Sequence, residues 1–307
     1  MKRPMQRLCV LAILASLGLG SCSGPAPTST ANSQPHLYWA NLATGTIGRA
    51  NLDGSAINER FVTGIPGPCD VDADRSHIYW ADAGDLTQGY TGTTIGRSNL
   101  DGTGVNNRFI SGANMPCSVA VDSTHIYWAN WANTAGTTIG RANLDGSGVN
   151  ESFITLANVP GGLTVDSIHL YWANWGQPGS AEASSNGTTI GRANLDGSGV
   201  NESFIKGASV PDAVAVNGSY IYWTNQASGT IGRANLDGTG VSQDFITGEP
   251  GLADLVVDST YIYWANYGWP VPTLKGTTIG RARLDGTAVN RQFITGAAAP
   301  AGLAIQP

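Results

Sequence analysis

The chain has 307 residues, 41 of them glycine, with 16 basic and 22 acidic side chains and a formal net charge of −6. Phosphate binding rests on clustered Lys and Arg, so nucleic acid is excluded as an expected partner. High glycine with scarce Lys, Glu and Met describes a β-rich, turn-rich chain, not a helical one.

The chain opens on a targeting segment. Lys2, Arg3 and Arg7 form a positive start, and Leu8 to Leu19 is an apolar run too short to span a bilayer. Leu19-Gly20-Ser21-Cys22 resembles the lipobox of bacterial lipoproteins. That resemblance implies a signal peptide over residues 1–21, cleavage before Cys22 and acylation of Cys22; an ordinary secretory signal with an incidental cysteine is the alternative. Residues 22–35 then read as a lipidated cysteine and flexible tether. Ser23, where inner-membrane retention calls for Asp, implies outer-membrane sorting in a Gram-negative cell and a cell-envelope location in general. Cleavage removes three basic residues and leaves 13 basic against 22 acidic side chains, a formal charge of −9. Membrane contact is therefore expected through the lipid and not through a basic face.

From His36 onward the chain is one repeat domain of six units. Each unit starts with an aromatic cluster of the form His/Tyr-Ile/Leu-Tyr-Trp-Ala/Thr-Asn/Asp, with its tryptophan at Trp39, Trp80, Trp128, Trp172, Trp223 or Trp264. A variable loop follows, then a Gly-Thr-Ile-Gly-Arg segment, an Asp-Gly turn, a Phe-containing strand and a connection into an apolar strand ending near Asp. Short apolar runs punctuated by Gly, Asn, Asp and Pro predict four β-strands per unit. Apolar residues on both faces, as in Ile126, Tyr127 and Trp128, require neighbours on both sides. The two ends are complementary. The domain begins on the aromatic strand without the strand that should precede it, and Pro300-Ala301-Gly302-Leu303-Ala304-Ile305 is that strand without a successor. An open solenoid would need polar caps, so the overhang predicts an all-β, six-bladed β-propeller over residues 36–307, with four-stranded antiparallel blades and the C-terminal strand closing the first.

These repeats resemble the YWTD propellers of low-density-lipoprotein-receptor-type proteins, which pair a Tyr-Trp-Thr-Asp strand with a Leu-Asp-Gly turn. The Thr is Ala in all units but the one with Thr224, and the final Asp is Asn in all but the one with Asp82. The resemblance implies the fold; the receptors' EGF-like modules are absent from the sequence, and their ligands do not carry over.

Residues demanded by every repeat are expected to be architectural. His36, His77, His125 and His169 occupy one repeat position that Tyr220 and Tyr261 fill elsewhere, so no catalytic role is assigned to them. Arg49, Arg97, Arg141, Arg192, Arg233 and Arg281 are expected to hydrogen-bond between blades, with an anion-binding ring as the alternative. The Asp of each Asp-Gly pair makes a turn; a calcium loop would need further spaced carboxylates. Cys69 and Cys117 stand at matching positions in consecutive units and read as two buried small residues, with a disulfide between blades as the alternative.

Function then falls to residues outside the repeat. The variable loops carry Tyr90, Trp131, Trp175, Tyr267 and Trp269, which predict an aromatic ligand-binding rim, with packing against the blades as the bland alternative. Asp70, Asp72, Asp212 and Asp254, with Glu249 nearby, lie where the inner strands begin and are not required by the repeat. They are candidate ligands for a divalent cation such as calcium; lactonases of the gluconolactonase type offer a fold-level precedent. No other cofactor and no catalytic residue is predicted. The leading expectation is a lipid-anchored extracytoplasmic binding or scaffold protein that presents its loop face to a protein, peptide or glycan. The alternatives are a metal-dependent hydrolase, lactonase or lyase built on the four aspartates, and a structural envelope protein without a small-molecule site.

Overall fold

A computed structural model describes residues 34–84, 91–131, 138–155, 157–176, 187–268 and 276–306. Cys22, Tyr90 and Trp269, together with the signal segment, lie outside these described residues. Within the compact unit Pro35–Pro307, twenty-four strands form six four-stranded antiparallel sheets. His36–Asn41 (β1), Thr46–Asn51 (β2) and Asn58–Thr63 (β3) make three strands of the first blade. Its fourth and innermost strand is Pro300–Ile305 (β24), paired to β1 through Leu37 with Ile305, Tyr38 with Ala304 and Trp39 with Leu303. The predicted closure is therefore present.

The other five blades each start on an inner strand: Pro68–Ala73 (β4), Pro116–Val121 (β8), Pro160–Val165 (β12), Pro211–Val216 (β16) and Leu252–Val257 (β20). Successive inner strands touch in an unbroken cycle through β24 and surround a central channel. The second strand of every blade buries both faces, as the aromatic cluster requires; all six of its tryptophans are fully buried. Each indole lies flat against the glycine opposite it. A Cβ on Gly191 would enter the ring of Trp172, which explains why the Ile-Gly-Arg segment carries glycine in every copy.

Three of the six arginines bond between blades, as expected. Arg97, Arg141 and Arg281 donate to the carbonyls of Leu144, Leu195 and Leu52 at 3.2–3.4 Å, each in the following blade. All six also stack on their own blade's Phe, with the guanidinium carbon 3.9–4.0 Å from the ring centre, a cation–π contact. In four blades the aspartate closing the inner strand holds the next tyrosine: Tyr79, Tyr127, Tyr171 and Tyr263 donate to Asp74, Asp122, Asp166 and Asp258 at 3.0–3.1 Å. At the seam Gln306 takes that place, accepting from Tyr38 at 3.4 Å and standing 3.3 Å from His36. The histidines sit beside these tyrosines, 5.8–6.2 Å between ring centres, in the structural position expected of them.

A buried indole N–H needs an acceptor, and the outermost strand supplies it. Trp39, Trp128 and Trp172 donate to Glu59, Glu151 and Glu202, and Trp223 to Gln243, at 2.9–3.1 Å. The sixth blade has Arg291 at that position, and Glu249 from the preceding connection does the work instead, accepting from Trp264 at 2.9 Å and pairing with Arg291 at 2.8 Å. Glu249 was expected in a connection neighbouring the channel-mouth acids; it belongs to this outer tie. The second blade lacks a tie. Asn107 is one methylene short, so Trp80 Nε1 and Asn107 Oδ1 are buried without partners, while Asn107 Nδ2 bonds the Gly64 carbonyl at 2.9 Å. The local reason is Asp82, an acid where the other blades have Asn: a glutamate at 107 would meet a like charge. Rewriting this blade as the fifth, with Asp82→Asn and Asn107→Gln, is expected to raise stability by about 1–2 kcal/mol in urea denaturation, since Gln243 shows the geometry that satisfies both groups.

Candidate functional site

The residue that follows each aromatic strand has a fixed backbone role. Leu42, Ala83, Trp131, Trp175, Gln226 and Tyr267 each donate their N–H to the carbonyl just ahead of an inner strand, at 2.9–3.2 Å. These six side chains therefore belong to one repeat column at the end of the channel where the inner strands begin. The column is lopsided. Two blades fill it with Leu42 and Ala83, buried to 7% and 0% exposure, and four with larger side chains.

The four large ones form a connected set. Trp131 and Trp175 meet edge to face with ring centres 5.5 Å apart. Trp175 Nε1 donates to Gln226 Oε1 at 3.3 Å. Gln226 Nε2 donates to Tyr267 Oη and to Asp212 Oδ2, both at 3.1 Å, and approaches the Leu252 carbonyl at 3.4 Å. Two predicted rim aromatics and one predicted acid thus converge on a glutamine that sequence reasoning passed over, and Trp131 joins them through Trp175. Its signal was its column, directly after Trp-Thr-Asn. Trp131, Trp175 and Tyr267 are partly exposed, so they do not fold away completely into the blades.

The aspartates divide into two groups. An inner strand is a sheet edge, and its channel-side N–H groups need acceptors. Asp70 Oδ2 accepts from Ser118 Oγ at 2.6 Å and from Val119 N at 3.0 Å, and Asp72 Oδ2 accepts from Val121 N at 2.8 Å, so both tie β4 to β8. Asp254 Oδ2 accepts from Leu303 N at 2.6 Å and ties β20 to β24. Each uses its other oxygen on the N–H of the residue after it, at 2.7–2.8 Å. Ser118 continues the pattern by accepting from Leu163 N at 2.9 Å. These three acids were expected to be free of architectural duty, and the structure corrects that: they are inter-blade ties. Asp212 differs, since among the described residues its carboxylate touches no backbone N–H and accepts from Gln226. Among the described residues no three His, Cys, Asp or Glu side chains assemble as a metal-binding group. Below the mouth the channel holds a cavity of about 150 Å³, lined by Asp70, Asp72 and Asp254 among aliphatic side chains.

Burial dominates the acid–base behaviour of these groups. It raises Asp70 to about 6, against the opposing pull of the Ser118 and Val119 bonds. It raises Asp72 and Asp212 to about 7, with the charge of Asp70 adding to both, and lifts Asp254 well above its ordinary value. A carboxyl with a higher pKa folded than unfolded binds more protons when folded, so its contribution is complete below pH ~4 and is lost as pH rises towards ~7. Unfolding free energy is therefore expected to fall between pH 5 and 7, by up to about 1.4 kcal/mol per pH unit for each such group, and to level off above pH ~8. The exposed turn aspartates, held low by Ser and Thr bonds, act only in more acid solution, and His77, held low by burial, works in the opposite sense near pH 6. Asp72→Asn should flatten part of the slope in denaturant titrations at stepped pH; an unchanged slope would assign it elsewhere.

Cys69 and Cys117 were expected to be unpaired small residues. They form a disulfide between β4 and β8, with Cα atoms 5.3 Å apart. The separation across one blade boundary is small because equivalent residues of neighbouring blades converge near the channel axis.

No family model matches this sequence, and no curated protein matches it. Solved structures do. A chain of the nidogen/laminin complex superposes with a TM-score of 0.70 at 18% identity, over 88% of this chain and 98% of that one. A streptogramin B lyase gives 0.58 at 18% identity over 87% and 82% of the two chains. A gluconolactonase from Xanthomonas campestris gives 0.58 at 14% identity over 88% and 87%. At these identities the likeness establishes the fold: a six-bladed propeller with YWTD-type repeats.

Proposed function

We propose that this YWTD-type propeller is a binding protein of the cell envelope, anchored through acylated Cys22, whose channel-mouth face engages a protein, peptide or glycan. One observation carries the reading. Trp131, Trp175, Gln226, Tyr267 and Asp212, drawn from four blades, form a single connected, partly exposed cluster on the face with the variable loops. Partly exposed aromatics held by a buried amide are the composition of a recognition surface. A protein complex and two enzymes share the fold, so fold alone does not choose between binding and catalysis. The side chains support binding: three of the four carboxylates that a metal-dependent enzyme would draw on accept from backbone N–H groups, and the aromatic cluster is left for a ligand.

The test is partner capture from envelope extract with the full chain and with Trp131→Ala combined with Trp175→Ala. The wild-type chain is expected to retain a partner that the folded double variant loses. Equal retention by both would move the binding surface away from the mouth. For the anchor, Cys22→Ser is expected to shift the protein from the membrane to the soluble fraction.

A further inference from the structure

Among the described residues the network around Gln226 leaves one carboxylate oxygen over. Gln226 is 7% exposed and its donors are committed: Nε2 donates to Asp212 and Tyr267 and approaches the Leu252 carbonyl, while Oε1 accepts from Trp175. That network fixes Asp212 through Oδ2. Asp212 Oδ1 has no hydrogen-bond partner among the described residues, and Asp212 itself is only partly buried. The other three channel aspartates use both oxygens on the chain. Asp212 is thus the one acid whose position no inter-blade tie explains.

We propose that the mouth takes a primary ammonium group on an alkyl chain, seated on Asp212 Oδ1 beside the Trp175 and Tyr267 rings. The proposal rests on the mouth being the ligand-binding face and narrows what it binds. Burial raises Asp212 to about 7, and a cation beside it would draw it back to its ionised form; an ionised carboxylate oxygen accepts only, so the ligand must donate. A hard divalent cation needs six or more oxygens, and the site offers one beyond those already used. A neutral hydroxyl would satisfy Oδ1, but Asp212 also feels the charge of Asp70, which with its carboxyl at about 6 is mostly ionised at pH 7 and favours a cation. Trp175 and Tyr267 are linked to Asp212 through Gln226, and a cation within reach of an aromatic ring gains an attraction that a hydroxyl does not. The acidic domain steers cations in the same direction. An ammonium on a flexible stem can reach Oδ1 while its methylenes lie against the indole.

The same chemistry is found on a lysine of a polypeptide and on a free diamine. The full chain would be titrated at low ionic strength with Nα-acetyl-lysine methylamide, cadaverine, a capped Gly-Gly-Lys-Gly-Gly peptide and, as uncharged isostere, Nα-acetyl-norleucine methylamide, following indole N–H resonances. The charged probes are expected to shift Trp175 and to bind about tenfold or more tightly than the norleucine compound. Asp212→Asn should lose a similar factor, and added salt should weaken binding. Tighter binding of the peptide than of cadaverine assigns the cation to a polypeptide; the reverse assigns it to a free amine. Equal binding by the norleucine compound, or an Asp212→Asn variant that binds lysine as well as wild type, overturns the proposal and leaves the mouth as a binding face. Partner capture indifferent to Trp131→Ala with Trp175→Ala overturns the broader reading, whatever the amines do.

Discussion

Deleting residues 300–307 is expected to abolish the folded monomer. The deletion removes β24, so β1 loses the register of Leu37, Tyr38 and Trp39 against Ile305, Ala304 and Leu303. Leu37 and Trp39, fully buried in the closed ring, would face water, and each large side chain exposed costs about 1.5–3 kcal/mol. Asp254 would lose its bond from Leu303 N, and Tyr38 its bond to Gln306. The sum approaches or exceeds the whole stability of an ordinary domain, about 5–15 kcal/mol. What remains would present an unpaired strand to other chains and associate through it. Size-exclusion chromatography with circular dichroism should show aggregate or open oligomer, and a peptide spanning Pro300 to Gln306 should restore monomer. A truncated chain that stays monomeric with a native melting transition would show that ring closure does not hold the fold together.

Replacing both Cys69 and Cys117 by alanine is expected to lower unfolding free energy by about 4 kcal/mol. The bridge closes a separation of 48 residues, and the chain-entropy relation gives that magnitude for a loop of this size. The tie has a particular location. It joins β4 to β8 beside Asp70, whose bonds to Ser118 and Val119 cross the same boundary, so the two constraints are coupled and their losses should not add. Urea denaturation of the double variant and of a triple variant with Asp70→Asn would measure this; additive losses would show the ties to be independent. Thiol titration of unreduced, denatured protein should find neither cysteine reactive.

Much of the architecture was legible because it is repeated. Six copies of an aromatic strand and a Gly-Thr-Ile-Gly-Arg strand specify six equivalent environments, and the Pro300–Ile305 overhang announces a strand whose partner is at the other end. The same repetition let the arginines and histidines be read as structural. The candidate site was legible in part. Trp131, Trp175 and Tyr267 stood out because no other copy requires them, whereas Gln226 was missed because it is polar, ordinary and follows the strand that appears most regular. Reading by column, Leu42, Ala83, Trp131, Trp175, Gln226 and Tyr267, would have found it.

The sequence by itself determined the strands, the number of blades, the closure and the turn chemistry, because each follows from local periodicity and from one pattern recurring. Only the tertiary structure decided what equivalent positions do to one another across the ring. It brought Cys69 to Cys117, turned Asp70, Asp72 and Asp254 into acceptors for the open edges of neighbouring inner strands, sent Glu249 to Trp264, and left Asp212 over. The physical reason is the convergence of blades at the axis. Residues some fifty apart in the chain come within hydrogen-bond distance there, and no one-dimensional pattern states which donor a given acid will meet.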